Sequence, residues 1–227
     1  MEHESKEKNN WRYPAICYIK NSNKIIIPPG DIYEFGVFWG LSLYILIKNF
    51  NYLSERAHGL DSFEGLPKES QDKLNPPEWE RGFLSCIDGN NSKDGISTVE
   101  DVKKHIMDDY KLSNYGLNVN LIDGFYCNSL TDETKNKYNM QKASIIDFDA
   151  DQYTSTIESW EFICKNRLIQ KGTLLFYDDW GIENEYLYGE SRAHIEITTK
   201  YGVECELLYD SATGQRVFQI SGGNYFL

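Results

Sequence analysis

Apolar and polar positions alternate in two ways along the chain. Short, mostly apolar runs of strand length are separated by longer segments in which apolar residues recur at helical spacing. The predicted strands are residues 31–37, 56–62, 119–124, 143–150, 172–179, 205–209 and 216–221. The predicted helices are residues 41–50, 98–110, 131–139, 153–170 and 186–201.

This succession of strands and helices predicts an α/β fold. The expected architecture is a doubly wound, mostly parallel seven-stranded sheet with helices on both faces. The last two strands are separated only by residues 210–215, which include Gly214. Such a short connection makes a hairpin, so one strand near the sheet edge is expected to run antiparallel.

Two segments do not follow this alternation of strands and helices. Residues 1–10 are predicted to be a frayed tail and residues 11–27 a short helix or cap, which ends at Pro28-Pro29-Gly30. Residues 28–227 then form a single domain. Residues 67–99 are long, polar and rich in proline and glycine, as is typical of a lid over a binding site.

Composition narrows the class of protein. A chain of 227 residues with 41% hydrophobic residues can bury one large core without cross-links. Its net charge of −12 repels phosphate backbones and anionic lipids, which disfavours nucleic acid and membrane partners. The five cysteines form no CxxC pair, and the first ten residues lack an apolar signal core. These features predict free thiols and a cytoplasmic protein.

The end of the first predicted strand carries the first candidate site, because ligands of open parallel sheets collect at the carboxyl ends of strands. Glu34, Gly36 and Gly40 come at this end, and Ser42 opens the next helix. Glycines let the backbone approach a ligand closely, and a helix N-terminus offers free N–H groups to an anion. An ordinary strand-to-helix turn has the same glycines.

The second strand ends at Asp61, 27 positions after Glu34, where an acidic side chain suits the hydroxyls of a ribose. Alternatively, Asp61 caps the turn at residues 62–64. Ser62 and Gly124, at the ends of strands two and three, are assigned to the same cofactor edge. Glu34 occupies the first glycine position of the NAD fingerprint, so the pattern favours S-adenosylmethionine over NAD.

Acidic residues follow the fourth and fifth strands. They are Asp147, Asp149, Asp151, Asp178 and Asp179. Like charges brought this close must be protonated, paired with cations or bound to metal. An all-oxygen donor set indicates a hard ion, Mg²⁺ or Ca²⁺. The alternative is that some of them cap helices, with Asp151 as the candidate N-cap of the helix at 153–170.

The same segments resemble the macrocin O-methyltransferase family, the sugar methyltransferases of macrolide and aminocoumarin antibiotic pathways. The matching motifs are Glu34-x-Gly36-Val37-x-x-Gly40, DSFEGLP at 61–67, DADQYTST at 149–156 and DDWG at 178–181. The resemblance implies a class I, Rossmann-like enzyme that uses S-adenosylmethionine and Mg²⁺ and forms a homo-oligomer. By position, Asp149, Asp178 and Asp179 resemble the metal ligands, Asp151 the general base, and Gly36 and Asp61 cofactor contacts.

The expected activity is therefore O-methylation of a hydroxyl of a sugar or glycosylated small molecule. One rival is a catechol-type metal-dependent methyltransferase. A lysine soon after the strand-four aspartate would favour it, whereas this chain has Gln152-Tyr153. Two further rivals are a cofactor-binding relative without turnover and an NAD-dependent oxidoreductase. Titration with S-adenosylhomocysteine and with NAD separates them.

Overall fold

A seven-stranded sheet forms the centre of the computed structural model, which describes residues 2–69, 79–181 and 189–226. The strands are β1 (Asp31–Phe35), β2 (Arg56–Asp61), β3 (Asn118–Asp123), β4 (Ala143–Phe148), β5 (Leu174–Tyr177), β6 (Glu204–Asp210) and β7 (Arg216–Gly222). Their order in the sheet is β3-β2-β1-β4-β5-β7-β6. All seven predicted strands are present, and their ends either coincide with the prediction or differ from it by one or two residues.

The helices are α1 (Glu2–Asn9), α2 (Arg12–Asn21), α3 (Leu41–Phe50), α4 (Val99–Asp109), α5 (Tyr126–Ser129), α6 (Asp132–Lys137), α7 (Tyr153–Lys165) and α8 (Gly189–Tyr201). The bounds of α3 match the prediction. α7 ends five residues before its predicted end, and the predicted start of α8 at Tyr186 lies outside the described residues. None of the helices in the described ranges is long and apolar enough to cross a membrane.

Strand direction follows from the connections. β3, β2, β1, β4 and β5 are mutually parallel, while β7 runs antiparallel to both β5 and β6. The reversal takes place in the tight connection after β6, where the Ser211 amide donates to the Gln215 carbonyl. The prediction of a mostly parallel sheet with one antiparallel strand near the edge is confirmed.

The core lies on both faces of the sheet, because every residue of β1, β4 and β5 is buried. Successive side chains of a strand point to opposite faces. Ile145 accordingly packs with Leu43 and Ile106 of α3 and α4. Ile146 packs on the other face with Trp160 of α7 and Ile197 of α8. The prediction of helices on both faces is confirmed.

The N-terminus corrects an expectation, because the predicted frayed tail at residues 1–10 contains helix α1. Glu7 of this helix is 5% exposed, and its carboxylate accepts from Lys48 at 2.6 Å and Asn49 at 3.1 Å. Both partners belong to α3, more than forty residues along the chain. The polar sequence of α1 has no apolar face that could predict this docking. Residues 11–27 contain α2, in accord with the predicted short helix.

The predicted lid at residues 67–99 is described in part, since residues 70–78 lie outside the described ranges. Residues 79–98 are loops and turns with a short 3₁₀ turn at Gly89–Asn91. The Leu66 amide donates to the Phe83 carbonyl and the Gly82 amide to the Leu66 carbonyl. These two bonds join residues 82–83 to Leu66, which immediately precedes the segment. A lid function stays a prediction.

Candidate active site

A cavity of about 380 Å³ opens at the carboxyl ends of the parallel strands. Its wall includes seven of the residues predicted from sequence, which are Gly36, Asp61, Ser62, Gly124, Asp149, Asp151 and Asp178. The predicted cofactor edge and the acidic cluster therefore share one cavity. Pro67, Lys68 and Leu84, from the predicted lid, line it as well.

Gly36 allows the ends of β1 and β4 to meet. Its φ is +92°, and a Cβ built there would lie 1.7 Å from the Asp149 carbonyl oxygen. The Asp149 amide donates to the Phe35 carbonyl at 2.9 Å, which fixes the same contact. Any side chain at position 36 would move the backbone that carries Asp149, so the cofactor edge and the acidic cluster are mechanically joined here.

Asp61 organises the surrounding loops. One carboxyl oxygen accepts from the amides of Val37 and Phe38 at 2.7 and 2.8 Å, and the other accepts from the Phe63 amide at 2.7 Å. Burial raises the pKa of Asp61, and these backbone donors partly offset the rise. The turn-capping role is thus present in the structure, on a residue that also lines the cavity.

Three of the predicted cofactor residues do not line the cavity in the described ranges, namely Glu34, Gly40 and Ser42. Gly40 has φ +80° at the N-terminus of α3, and a Cβ there would meet the Ile106 side chain at 2.5 Å, so it serves helix packing. Glu34 is fully buried, and its carboxyl oxygens find no well-formed hydrogen bond among the described residues. Burial and then the Asp147 charge raise its pKa well above the ordinary value, while the Arg12 charge and then Ser42 partly offset this rise.

The candidate metal ligands lie just beyond β4 and β5. Asp149, Asp178 and Asp179 each offer an oxygen, and these atoms lie within 4.8 Å of one another. Burial, and next the Asp178 charge, raises the pKa of Asp149 well above its usual range and that of Asp179 to about 6. Three half-buried carboxyls at this separation are an arrangement that a bound cation would stabilise.

Asp151 lies beside this group with an unusual backbone. Its φ is +58°, in the left-handed region that aspartate and asparagine adopt more readily than other side chains. The N-cap of α7 is Gln152, so Asp151 does not fill the capping position that was the alternative. Burial, and then the charge of Asp179, raises the pKa of Asp151 well above its usual range.

Arg12 is a functional candidate that the sequence did not reveal. It is 2% exposed, and its guanidinium donates to Asp147 at 2.6 and 3.1 Å and to Asp149 at 2.9 Å. The pairing spans 135 residues of sequence. An arginine in an otherwise aromatic and apolar stretch implies a buried acidic partner, but this signal does not say which one.

Glu190 was also missed. It is fully buried at the start of α8, and it accepts from the Asp179 amide at 3.0 Å and from the Ala150 amide at 3.3 Å. One carboxyl group therefore joins the loops after β4 and β5, which carry the candidate metal ligands and Asp151. In the sequence Glu190 and Glu196 fall in the same predicted helix, and no pattern marks Glu190 as the one that reaches the site.

The first turn of α7, which lines the cavity, contacts the start of the predicted lid. Glu69, at the start of the predicted lid, accepts from the amide and the hydroxyl of Thr154 in the first turn of α7.

His194 is buried in an aromatic cluster and shares a hydrogen bond with the Tyr177 hydroxyl at 2.8 Å. Burial lowers the His194 pKa to about 3, in keeping with a packing role.

The sheet order with its antiparallel β7 and the cavity at the strand ends define a Rossmann-like fold of the kind seen in methyltransferases. The sequence profile of the macrocin O-methyltransferase family (Macrocin-O-methyltransferase, TylF) matches residues 19–199. The match covers well over half of the chain. The chain therefore belongs to this family, and the protein is an S-adenosylmethionine-dependent O-methyltransferase.

Solved structures share the fold. The calicheamicin methyltransferase CalS11 is 17% identical with a TM-score of 0.63, and the match covers 92% of this chain and 80% of CalS11. The O-methyltransferase NovP is 18% identical with a TM-score of 0.61, and the match covers 97% of this chain and 80% of NovP. No curated protein is significantly similar to the chain in sequence.

Proposed function

We propose that this enzyme transfers the methyl group of S-adenosylmethionine to a hydroxyl of a sugar or glycosylated small molecule, with Mg²⁺ as its metal. One observation carries the proposal: the cofactor edge of the sheet and the carboxylates Asp149 and Asp178 line the same cavity. A second solved structure of CalS11, 18% identical with a TM-score of 0.52, describes that protein as a TDP-rhamnose 3'-O-methyltransferase. Deoxysugar nucleotides are therefore the first acceptors to test.

The residues present fit a hard divalent cation. Asp149, Asp178 and Asp179 supply oxygen ligands only, which is the donor chemistry that Mg²⁺ prefers. Burial, and next the Asp178 charge, raises the pKa values of Asp149 and Asp179, although Arg12 is already paired with the cluster. When bound, the metal would supply Lewis acidity to an acceptor hydroxyl and lower its pKa.

Asp151 is the proposed general base. It lines the cavity, and its neighbour Asp179 belongs to the candidate ligand set. Neutralising Asp179 would remove the strongest charge that raises the pKa of Asp151, so the carboxylate could then accept the hydroxyl proton. Holding the acceptor oxygen in line with the methyl group and sulfur supplies a further large part of the rate.

On the cofactor side, Gly36, Asp61, Ser62 and Gly124 are the proposed contacts, since all four line the cavity. Asp61 already accepts three backbone amides, so its role is first to shape the loops around the cofactor. The homo-oligomer, the cytoplasmic location and the lid at residues 67–99 are proposals that accompany this function.

The test measures binding first and turnover second. Calorimetric titration should show binding of S-adenosylhomocysteine and none of NAD. Release of S-adenosylhomocysteine should then be followed with deoxysugar nucleotides and with catechol, before and after treatment with EDTA. Activity on a sugar that is lost with EDTA and restored by Mg²⁺ supports the proposal. Full turnover in metal-free buffer would show that the reaction needs no metal. Turnover on catechol alone would favour the catechol-type enzyme.

A further inference from the structure

Arg12 takes no direct part in the proposed reaction. It opens α2, and its planar guanidinium reaches three aspartates at the carboxyl ends of β4 and β5. Nε and Nη2 donate to the two oxygens of Asp147 at 2.6 and 3.1 Å. Nη2 also donates to Asp149 Oδ2 at 2.9 Å, and Nη1 lies 3.8 Å from Asp178 Oδ1.

The guanidinium keeps its charge in this setting. Full burial opposes the charged form, but Asp147, Asp149 and Asp178 more than offset it and raise the pKa of Arg12 well above its ordinary value. A buried arginine with a bidentate carboxylate partner is held in one orientation, because its rigid fork matches the carboxylate geometry. Arg12 is thus a fixed cation beneath the acidic cluster.

Arg12 makes different contacts with Asp147 and with Asp149. Asp147 is fully buried, and both of its oxygens accept from Arg12, so neither faces the cavity as a free ligand. Asp149 gives only Oδ2 to Arg12, which leaves Oδ1 for another partner. Asp149 lines the cavity, whereas Asp147 does not line it in the described ranges.

We propose that Arg12 is a positioning residue that fixes the Asp149 carboxylate for a divalent cation and withdraws Asp147 from the ligand set. This inference rests on the proposed function, because it takes the metal site at Asp149, Asp178 and Asp179 as given. Groups that orient a metal ligand typically change metal affinity by 10–100-fold when they are removed. The N-terminal helix α2 is then part of the catalytic centre, although it lies outside the strands that carry the ligands.

The experiment uses the full-length protein and two variants. Arg12→Lys keeps the charge but loses the fork that holds two carboxylates together. The double variant Arg12→Gln with Asp147→Asn removes one positive and one negative charge, so the net charge of the cluster is unchanged. The amide pair that replaces the ion pair can still hydrogen-bond in the buried position, which keeps the variant foldable.

Mg²⁺ alone is titrated by calorimetry into each protein, and S-adenosylhomocysteine is titrated separately. We expect both variants to lose about tenfold or more in Mg²⁺ affinity while the affinity for S-adenosylhomocysteine is retained. A purely structural ion pair would lower the melting temperature without changing Mg²⁺ affinity. Melting temperature in EDTA is therefore recorded for every protein.

The matched control is a second arginine–aspartate pair, Arg56 with Asp31, at 3.1 Å. It joins the first residues of β2 and β1, at the opposite end of these strands. The variant Arg56→Gln with Asp31→Asn should lower the melting temperature and leave Mg²⁺ affinity as in the wild type.

The outcomes separate the inference from the function on which it rests. Wild-type Mg²⁺ affinity in both Arg12 variants would overturn the inference and leave the metal site standing. A wild-type protein that binds S-adenosylhomocysteine but no Mg²⁺ would overturn the metal part of the proposed function, and the inference with it. Equal loss of Mg²⁺ affinity in the Arg56 control would also overturn it, because the effect would then be one of general stability.

Discussion

Replacing Asp151 with asparagine tests the proposed base with little disturbance of the fold. Asparagine keeps the size of the side chain and one carbonyl oxygen but cannot accept a proton at neutral pH. The backbone at this position has φ +58°, which asparagine adopts as readily as aspartate. Because Gln152 provides the N-cap of α7, the substitution removes no helix cap.

The expected loss can be worked from these contacts. A positioned general base contributes about 10²–10⁴ to the rate, so kcat should fall by that factor. Asp151 shares a side-chain hydrogen bond with Asp179, which the asparagine amide can still donate, so stability should change by about 1 kcal/mol or less. Mg²⁺ affinity should change little, because Asp151 is not one of the three carboxylates whose oxygens converge.

The assay follows release of S-adenosylhomocysteine at saturating acceptor, with melting temperature and Mg²⁺ titration on the same preparation. A kcat near that of the wild type would refute the assignment of Asp151 as the base. A loss of activity that is restored by raising Mg²⁺ would instead place Asp151 among the metal ligands.

Four further outcomes are expected. Asp149→Asn should weaken Mg²⁺ binding, and part of its lost turnover should return at high Mg²⁺; no return would argue against a ligand role. Gly36→Ala should destabilise the protein by about 2–5 kcal/mol, from left-handed strain and overpacking against Asp149, as measured by urea unfolding. Glu190→Gln should lower stability by about 1–3 kcal/mol and weaken Mg²⁺ binding, since an amide nitrogen cannot accept from the backbone, whereas Glu196→Gln on the exposed side of α8 should do neither. In EDTA, the melting temperature should fall as pH rises from about 4 through about 6, because the raised pKa of Asp179 makes the folded state bind more protons than the unfolded chain, and Mg²⁺ should suppress this fall.

The parts of the site that the sequence predicted are those fixed by strand topology. Asp61, Asp149 and Asp178 were placed at one edge because they end parallel strands, and parallel strands end at the same edge of the sheet. The same rule also placed Gly40 at the cavity, whereas the structure places it against the Ile106 side chain. Glycine spacing alone does not distinguish close helix packing from close approach to a ligand.

The parts that it missed depend on partners distant in sequence. Arg12 meets Asp147 across 135 residues, and Glu190 reaches the Ala150 amide across 40. Neither has a local pattern, since Arg12 lies in a short helix before the first strand and Glu190 lies in a helix of mixed charge. For Arg12, charge balance adds to the hint from its apolar surroundings, because aspartates gathered at strand ends require cations.

The charge balance around the acidic cluster also links Arg12 and Glu190 to the proposed metal site. Arg12 compensates Asp147 and one oxygen of Asp149, and Glu190 adds a further buried carboxyl beside Asp179. Burial, and then the charges of neighbouring carboxylates, raises the pKa values of Asp149, Asp151 and Glu190 well above their ordinary range. A bound cation, as proposed above, would offset part of this excess of carboxyl groups. Altering Arg12 or Glu190 should therefore weaken Mg²⁺ binding, and added Mg²⁺ should then raise the melting temperature less in the variant than in the wild type.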